Sequence, residues 1–292
     1  MEFGPNEAVR LARPPAMLVP LVVASPHSGA AYPARFLAQS VLDLLALRRT
    51  EDAFVDLLFG AAPSLGAPLL AARFPRTYLD ANREAGEMDP AMFEGPLPDG
   101  LTPRTVRVAA GLGAIPRVAA SGEAIYGGRL PAEEIERRLA SCWRPYHTVL
   151  AQLCDEAAAE FGGVLLLDAH SMPSAAAGGG RGGRVDVVLG DNHGAACAPA
   201  LMGALENWLR RQGLRVRRNQ PYAGGYTTQR HGRPGAGRHA VQIELNRALY
   251  MDERQMMPTA DFEALAELLG AFLREAGRLA TDLVVPRALA AE

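Results

Sequence analysis

The sequence predicts an α/β protein: one domain in which a mostly parallel or mixed central sheet is flanked by helices. Three observations carry this. Apolar runs short enough for buried strands recur at 17–25, 162–171, 185–191 and 239–246. Longer segments with apolar residues at helical spacing lie between them. Glycine and proline clusters punctuate the joins. Strands alternating with helices build layered folds around a sheet. No long polar linker interrupts the chain, so its 292 residues are expected to form a single domain. Its core would run from about 17 to 282, between an irregular leader and a C-terminal tail.

Taken in order, Pro14 and Pro15 close the leader. "MLVPLVVAS" (17–25) reads as a strand whose first part Pro20 assigns to an edge, since proline cannot donate to a ladder. Its continuous apolar part, Leu21–Ala24, suits a strand covered on both faces. Pro26, Gly29 and Pro33 then make a loop. "LDLLALRRTEDAFVDLLFGAA" (42–62) is helical in period, with a break near Thr50, which would cap the second half. "PLLAARF" (68–74) is a short strand, and "PRTYLDANREAGEMDP" is irregular. An amphipathic helix is expected from Pro131 toward Phe161, broken or kinked at Pro145. "GGVLLLDAHS" (162–171) is a buried strand, followed by the glycine-rich loop "SAAAGGGRGGR" (174–184). The strand 185–191, a helix over 195–212, a short strand "LRVRRN", a Gly/Tyr loop (222–237), the strand "HAVQIELN" and a helix over 260–281 complete the pattern.

Composition narrows the function. A net charge of −2 gives no reason to expect a nucleic-acid partner or an acidic membrane surface. No run reaches the roughly 18 apolar residues of a membrane helix. Every basic residue is arginine, which excludes a catalytic lysine. Cys142, Cys154 and Cys197 lack metal-ligand spacing and read as reduced, buried thiols of a cytoplasmic protein. An acidic start without a clean apolar core does not read as a signal peptide. There is no G-x-S-x-G elbow, dinucleotide fingerprint or P-loop.

The histidines carry the candidate chemistry. His27 and His170 would each sit just past the C-terminus of a buried strand, where open α/β folds place ligands. His147 reads as structural, His193 as a site-lining or turn residue, and His231 and His239 flank the glycine-rich approach to a strand. A hydrolytic zinc takes three protein ligands and keeps one position for water. Carboxylates near His27 in sequence are Asp43, Glu51 and Asp52. The last two would begin a helix, where an acid is equally a dipole partner. Asp168, two residues before His170, shares its face of the strand and would orient the imidazole from behind. Glu244 lies in the apolar run "VQIELN". A carboxylate desolvated there has a raised pKa and suits a proton-transfer role, the alternative being a buried pair with Arg247. Arg73, Arg76, Asn82 and Arg83 in "RFPRTYLDANR" form an anchor for a carboxylate-bearing small molecule or, as Arg73 suits, plain surface arginine.

The motifs "SPHSG…YP", "EDAFVDLLF", "RTYLDANR", "AIYGGRLPAEEIERR", "DAHSM", "DVVLGDNHG" and "PYAGGYTTQRHGRPGAGRHAVQIELNRALYMDE" together resemble the N-formylglutamate amidohydrolase family. They run in order from about residue 20 to about 275. The resemblance implies the fold of zinc carboxypeptidases and aspartoacylase-type deacylases. It also implies a zinc hydrolase that cleaves a formyl amide, releasing formate and glutamate in histidine breakdown. Carried over by motif, His27, Asp52 and His170 would bind Zn2+, with Glu51 the alternative to Asp52. Glu244 would be the general base and acid. Asn82 and Arg83 would hold the substrate carboxylate, with Arg76 and Arg247 as neighbouring contacts. The implied partner is a small acidic N-acyl amino acid; no obligate protein partner is implied. The chain departs from the family where "MPSAAAGGGRGGR" replaces a segment rich in Pro and Phe. That departure leaves open another N-acyl amino acid or a short peptide as substrate. A metal-free binding protein of the same fold is the non-enzymatic alternative.

Overall fold

A computed structural model describes residues 3–4, 7–178 and 184–284. Residues 179–183 of the glycine-rich stretch expected as a loop lie outside the described residues. The chain divides into two compact units, each discontinuous in sequence. One takes the segments up to Arg10, Pro26–Ala53 and Ala71–Val149; the other takes Leu11–Ser25, Phe54–Leu70 and the chain from Leu150.

The seven-stranded sheet consists of β1 (Val9–Ala12), β2 (Leu21–Ser25), β3 (Leu69–Ala72), β4 (Val164–Met172), β5 (Val187–Gly190), β6 (Val216–Arg218) and β7 (Arg238–Asn246). Its order is β1-β3-β2-β4-β7-β5-β6. β2 pairs parallel with β4, and β4 with β7, while β5 runs antiparallel to β7. The sheet is therefore mixed. All residues of β2 and β4 are buried, as expected of central strands covered on both faces. In the unit from Leu150 onward, α3 (Pro199–Arg211) and α4 (Phe262–Leu283) meet through Trp208 and Phe272, whose rings lie 5.6 Å apart. α4 buries Leu265, Leu269, Phe272, Leu273, Ala276 and Ala280, the stripe that its 3.6-residue period predicts.

Several expectations are corrected. The leader is not wholly irregular, since Val9–Ala12 forms the edge strand β1. Pro20 marks no edge: β2 begins one residue later, inside the sheet, and the Pro20 carbonyl accepts from the Leu165 amide at 2.8 Å. The helix predicted from 195 starts at Pro199, whose fixed φ and missing N–H suit a first helical position. The 131–161 helix comprises α1 (Glu133–Arg138), a π-helical turn Leu139–Trp143 and α2 (Arg144–Phe161). The wider turn accommodates the absent N–H of Pro145.

The segment 42–62 differs most. It holds two short helices, Leu44–Arg48 and Val55–Leu58. Asp43 caps the first by accepting from the Ala46 amide, whereas the Thr50 hydroxyl accepts from the Ala120 amide and caps nothing. Glu51 and Asp52 precede Phe54, which takes φ 66°. They therefore sit in a turn, not on a helix. A left-handed phenylalanine is strained, and such strain gathers at functional sites.

Among the described residues no helix is long and apolar enough to cross a membrane. The three cysteines are free and buried, and burial pushes each thiol up to about 12, which makes them inert at neutral pH.

Candidate metal centre

The turn after β2 delivers His27, which is 2% exposed. The Asp52 amide donates to the His27 carbonyl at 3.0 Å, tying the two segments together. Their side chains follow: His27 Nδ1 lies 3.3 Å from Asp52 Oδ2, and both groups are buried. The other ring nitrogen, Nε2, lies 2.7 Å from Asp80 Oδ1. One imidazole is thus flanked by two carboxylates. Glu51 is turned elsewhere, accepting from the Tyr32 hydroxyl at 2.7 Å and from Arg48 at 3.4 Å.

Asp80 was not singled out from the sequence, although it stands inside the run "RTYLDANR". Its second oxygen accepts from Arg76 at 2.8 Å, and its first also takes the Asn82 amide at 2.9 Å. Burial pushes this carboxyl up, but the charges of His27, Arg76 and Arg83 outweigh that and hold it well below the usual carboxylate range. The turn carrying it is clamped from the backbone. His147 Nε2 bonds the Ala81 carbonyl at 2.8 Å, Trp143 donates to the Arg83 carbonyl, and the Asp80 amide donates to Ala114. His147 is structural, as expected.

Arg76 and Arg83 play different parts. Arg76 is ion-paired with Asp80 and approaches Asp52 Oδ1 at 3.7 Å. Arg83 donates only to main-chain carbonyls, of Leu112 at 3.1 Å and Asn82 at 2.9 Å. Burial lowers its pKa, with Arg107 and Arg76 adding to the effect against Asp80 and Glu87.

On the sheet, β4 and β7 carry a polar row across otherwise apolar strands. Asp168 is paired in register with Gln242, and His170 with Glu244. Residues two apart share a face, so these four line one face together. All four are buried. His170 Nε2 lies 3.0 Å from Asp168 Oδ2. Gln242, which sequence reasoning passed over, donates to Glu244 Oε1 at 2.7 Å. Its only sequence signal was a second polar residue in an apolar strand, two before the glutamate. Arg247 donates to Ser171 at 3.1 Å, and strand alternation turns Ser171 to the face opposite His170. His239 accepts from the Ala198 amide, and His193 is exposed with φ 56°.

His27, Asp52 and His170 each offer one ligand atom, and these atoms all lie within 4.8 Å of one another. Two imidazoles and a carboxylate are a donor set that suits zinc. The electrostatics fit as well. The neutral imidazole that a metal requires, donating to Asp80 through Nε2–H, would turn its Nδ1 lone pair toward the carboxylate oxygen of Asp52. Two electron-rich atoms at that distance favour a cation between them. Each histidine also has a carboxylate at its Nε2, a partner of the kind that stands behind a metal-ligating imidazole.

The chain matches the family described as N-formylglutamate amidohydrolase over residues 19–251. It is 35% identical over 260 residues to the N-formylglutamate deformylase of Pseudomonas aeruginosa, covering 88% of this chain and 91% of that protein. It is 32% identical over 244 residues to the N-formylglutamate deformylase of Pseudomonas putida, covering 81% and 84%. The crystal structure of N-formylglutamate amidohydrolase from Ralstonia eutropha superposes with a TM-score of 0.84 at 38% identity, over 95% of this chain and 97% of that one.

Proposed function

This chain belongs to the N-formylglutamate amidohydrolase family, and on that premise we propose that it hydrolyses N-formyl-L-glutamate to formate and L-glutamate. The observation that carries the reading is the buried His27–Asp52–His170 set, with Glu244 in register beside His170. A zinc ion held by those three residues would polarise the formyl carbonyl and lower the pKa of the water it carries.

The chain's own groups supply the rest. Asp80 and Asp168 hold the two imidazoles by their Nε2 atoms. Asp52, rather than Glu51, is the acidic ligand, which the engagement of Glu51 with Tyr32 and Arg48 supports. Gln242 holds Oε1 of Glu244, so the carboxylate is oriented within the polar row. Glu244 accepts the proton of the attacking water and returns it to the departing nitrogen. The water oxygen bonds to the formyl carbon, the C–N bond breaks, and the amine leaves neutral. Asn82 and Arg83 bind the substrate carboxylate, a role supported by an Arg83 guanidinium that has no carboxylate partner among the described residues. Arg76 acts on this site through Asp80. Histidine breakdown in the cytoplasm is the setting this reaction suits.

The test is release of formate and glutamate from N-formyl-L-glutamate by the purified protein, with and without a chelator, alongside zinc content. Stoichiometric zinc in the wild type, lost in H27A and H170A together with turnover, is expected. A protein that binds no zinc, or turns over unchanged after chelation, refutes the scheme.

A further inference from the structure

Outside the metal-binding set, the unit containing Arg83 holds a second cation without an anionic partner. Arg107 is half-buried on the short helix Val106–Ala109. Its side chain makes no hydrogen bond or ion pair among the described residues. Arg83 is half-buried too, and its Nη2 group likewise has no protein acceptor among the described residues.

The backbone holds these two arginines in a fixed relation. Arg83 Nε donates to the Leu112 carbonyl at 3.1 Å, and the Leu112 amide donates to the Arg107 carbonyl at 2.8 Å. Thr105 caps the helix by accepting from the Val108 amide at 3.1 Å, and its hydroxyl donates to Glu87 at 2.7 Å. The Glu87 carbonyl takes the Ala114 amide, while the Ala114 carbonyl takes the Asp80 amide. The Asp80–Arg83 turn and the Arg107 helix are therefore stitched into one frame.

Arg107 also lies close enough for its charge to depress the Arg83 pKa. Glu87, the acid that also acts on Arg83, has its carboxylate on the Thr105 hydroxyl and forms no ion pair with either arginine. Two like charges held near each other in a partly buried place repel; Asp80 and Glu87 act on Arg83 only through space, and neither guanidinium has a carboxylate hydrogen-bonded to it among the described residues. A ligand with two negative groups would supply one to each.

We propose that Arg107 is a specificity residue, receiving the second carboxylate of a dicarboxylic substrate whose first carboxylate Arg83 and Asn82 hold. The inference rests on the reading of Arg83 as a carboxylate anchor and deepens it. A monoacid leaves one of the two cations uncompensated. Selection for an N-acyl amino acid with an acidic side chain follows from that, and Arg107 supplies the discrimination. Arginine suits the task because its fork takes a carboxylate by two parallel hydrogen bonds.

The experiment has a binding arm and a turnover arm, both on the full-length, zinc-loaded protein. Calorimetry compares glutarate with butyrate as probes in wild type, R107Q, R107K and V106Q. Val106 is 89% exposed, so V106Q controls for disturbance of the helix. Wild type and V106Q should prefer glutarate, and R107Q should lose roughly 10- to 100-fold of that preference, the range of one charge-assisted contact. R107K should retain part of it. In the turnover arm, R107Q should raise KM for N-formyl-L-glutamate and leave N-formyl-L-glutamine little changed. Equal glutarate affinity in wild type and R107Q overturns the proposal. If R107Q loses glutarate but wild type does not deformylate N-formyl-L-glutamate, the Arg107 site stands and the proposed reaction falls.

Discussion

Removing Asp80 is the sharpest test of how the candidate centre is held. Its carboxylate accepts from His27 Nε2 at 2.7 Å, from Arg76 at 2.8 Å and from the Asn82 amide at 2.9 Å. Among the described residues it touches no other member of the proposed ligand set, so it would act on a metal through the His27 ring. D80N keeps the shape and an acceptor oxygen but loses the charge, whereas D80A loses all three contacts. Loss of a carboxylate behind a ligating histidine costs about 10- to 100-fold in metal affinity, or roughly 1.4–2.7 kcal/mol. D80N is expected near the lower end and D80A near the upper. Zinc affinity is read by competition with a chromogenic chelator at neutral pH, with H27A as the reference for complete loss. Urea unfolding of the metal-free proteins separates this from lost stability. Zinc binding as tight in D80N and D80A as in wild type would refute the reasoning, because His27 would then need no carboxylate to orient it.

Other expectations follow from the same geometry. E244Q should keep zinc and substrate binding but lose about 10²- to 10⁴-fold in kcat, as removal of a general base does; normal turnover would remove Glu244 from that role. D52N should lose stoichiometric zinc while E51Q keeps it, and metal analysis showing the reverse pattern would make Glu51 the ligand. His231 supplies a pH test of the fold. Burial is the main reason its pKa falls from 6.5 to about 4, with Arg230 adding to it. A depressed folded-state value means the unfolded chain binds the proton first. Stability from neutral His231 is therefore complete above about pH 6.5 and is lost as pH falls toward about 4, by roughly 3 kcal/mol in all. Compared with H231N in urea unfolding between pH 7 and 4, wild type should lose that much more; parallel curves would contradict it.

The local pattern of the chain was enough for the strands that matter. Continuous apolar runs of the right length identified β2 and the first half of β4, because burial on both faces leaves few other ways to place such runs, and the alternating apolar residues of "AVQIEL" identified β7. Strand ends then singled out His27 and His170, and a carboxylate inside "VQIELN" singled out Glu244. Alternation also placed Asp168 behind His170. All these inferences depend on periodicity along a few residues, which sequence contains.

What tertiary structure decided depends on contacts between segments far apart in the chain. Periodicity favoured a helix around Thr50, yet Phe54 in a left-handed conformation leaves Glu51 and Asp52 in a turn. Their opposite surroundings, Tyr32 and Arg48 for one and His27 for the other, arise from chain packing and not from adjacent residues. Asp80 was hidden for the same reason: an aspartate in an irregular run has no period to betray it, and its meaning comes from a histidine 53 positions away. The sequence by itself determined the strands and the strand-end histidines, because hydrophobic burial is written into local spacing. Only the folded chain decided which carboxylate meets which imidazole, because Coulomb forces and hydrogen bonds act on distance in space, which spacing along the chain does not encode.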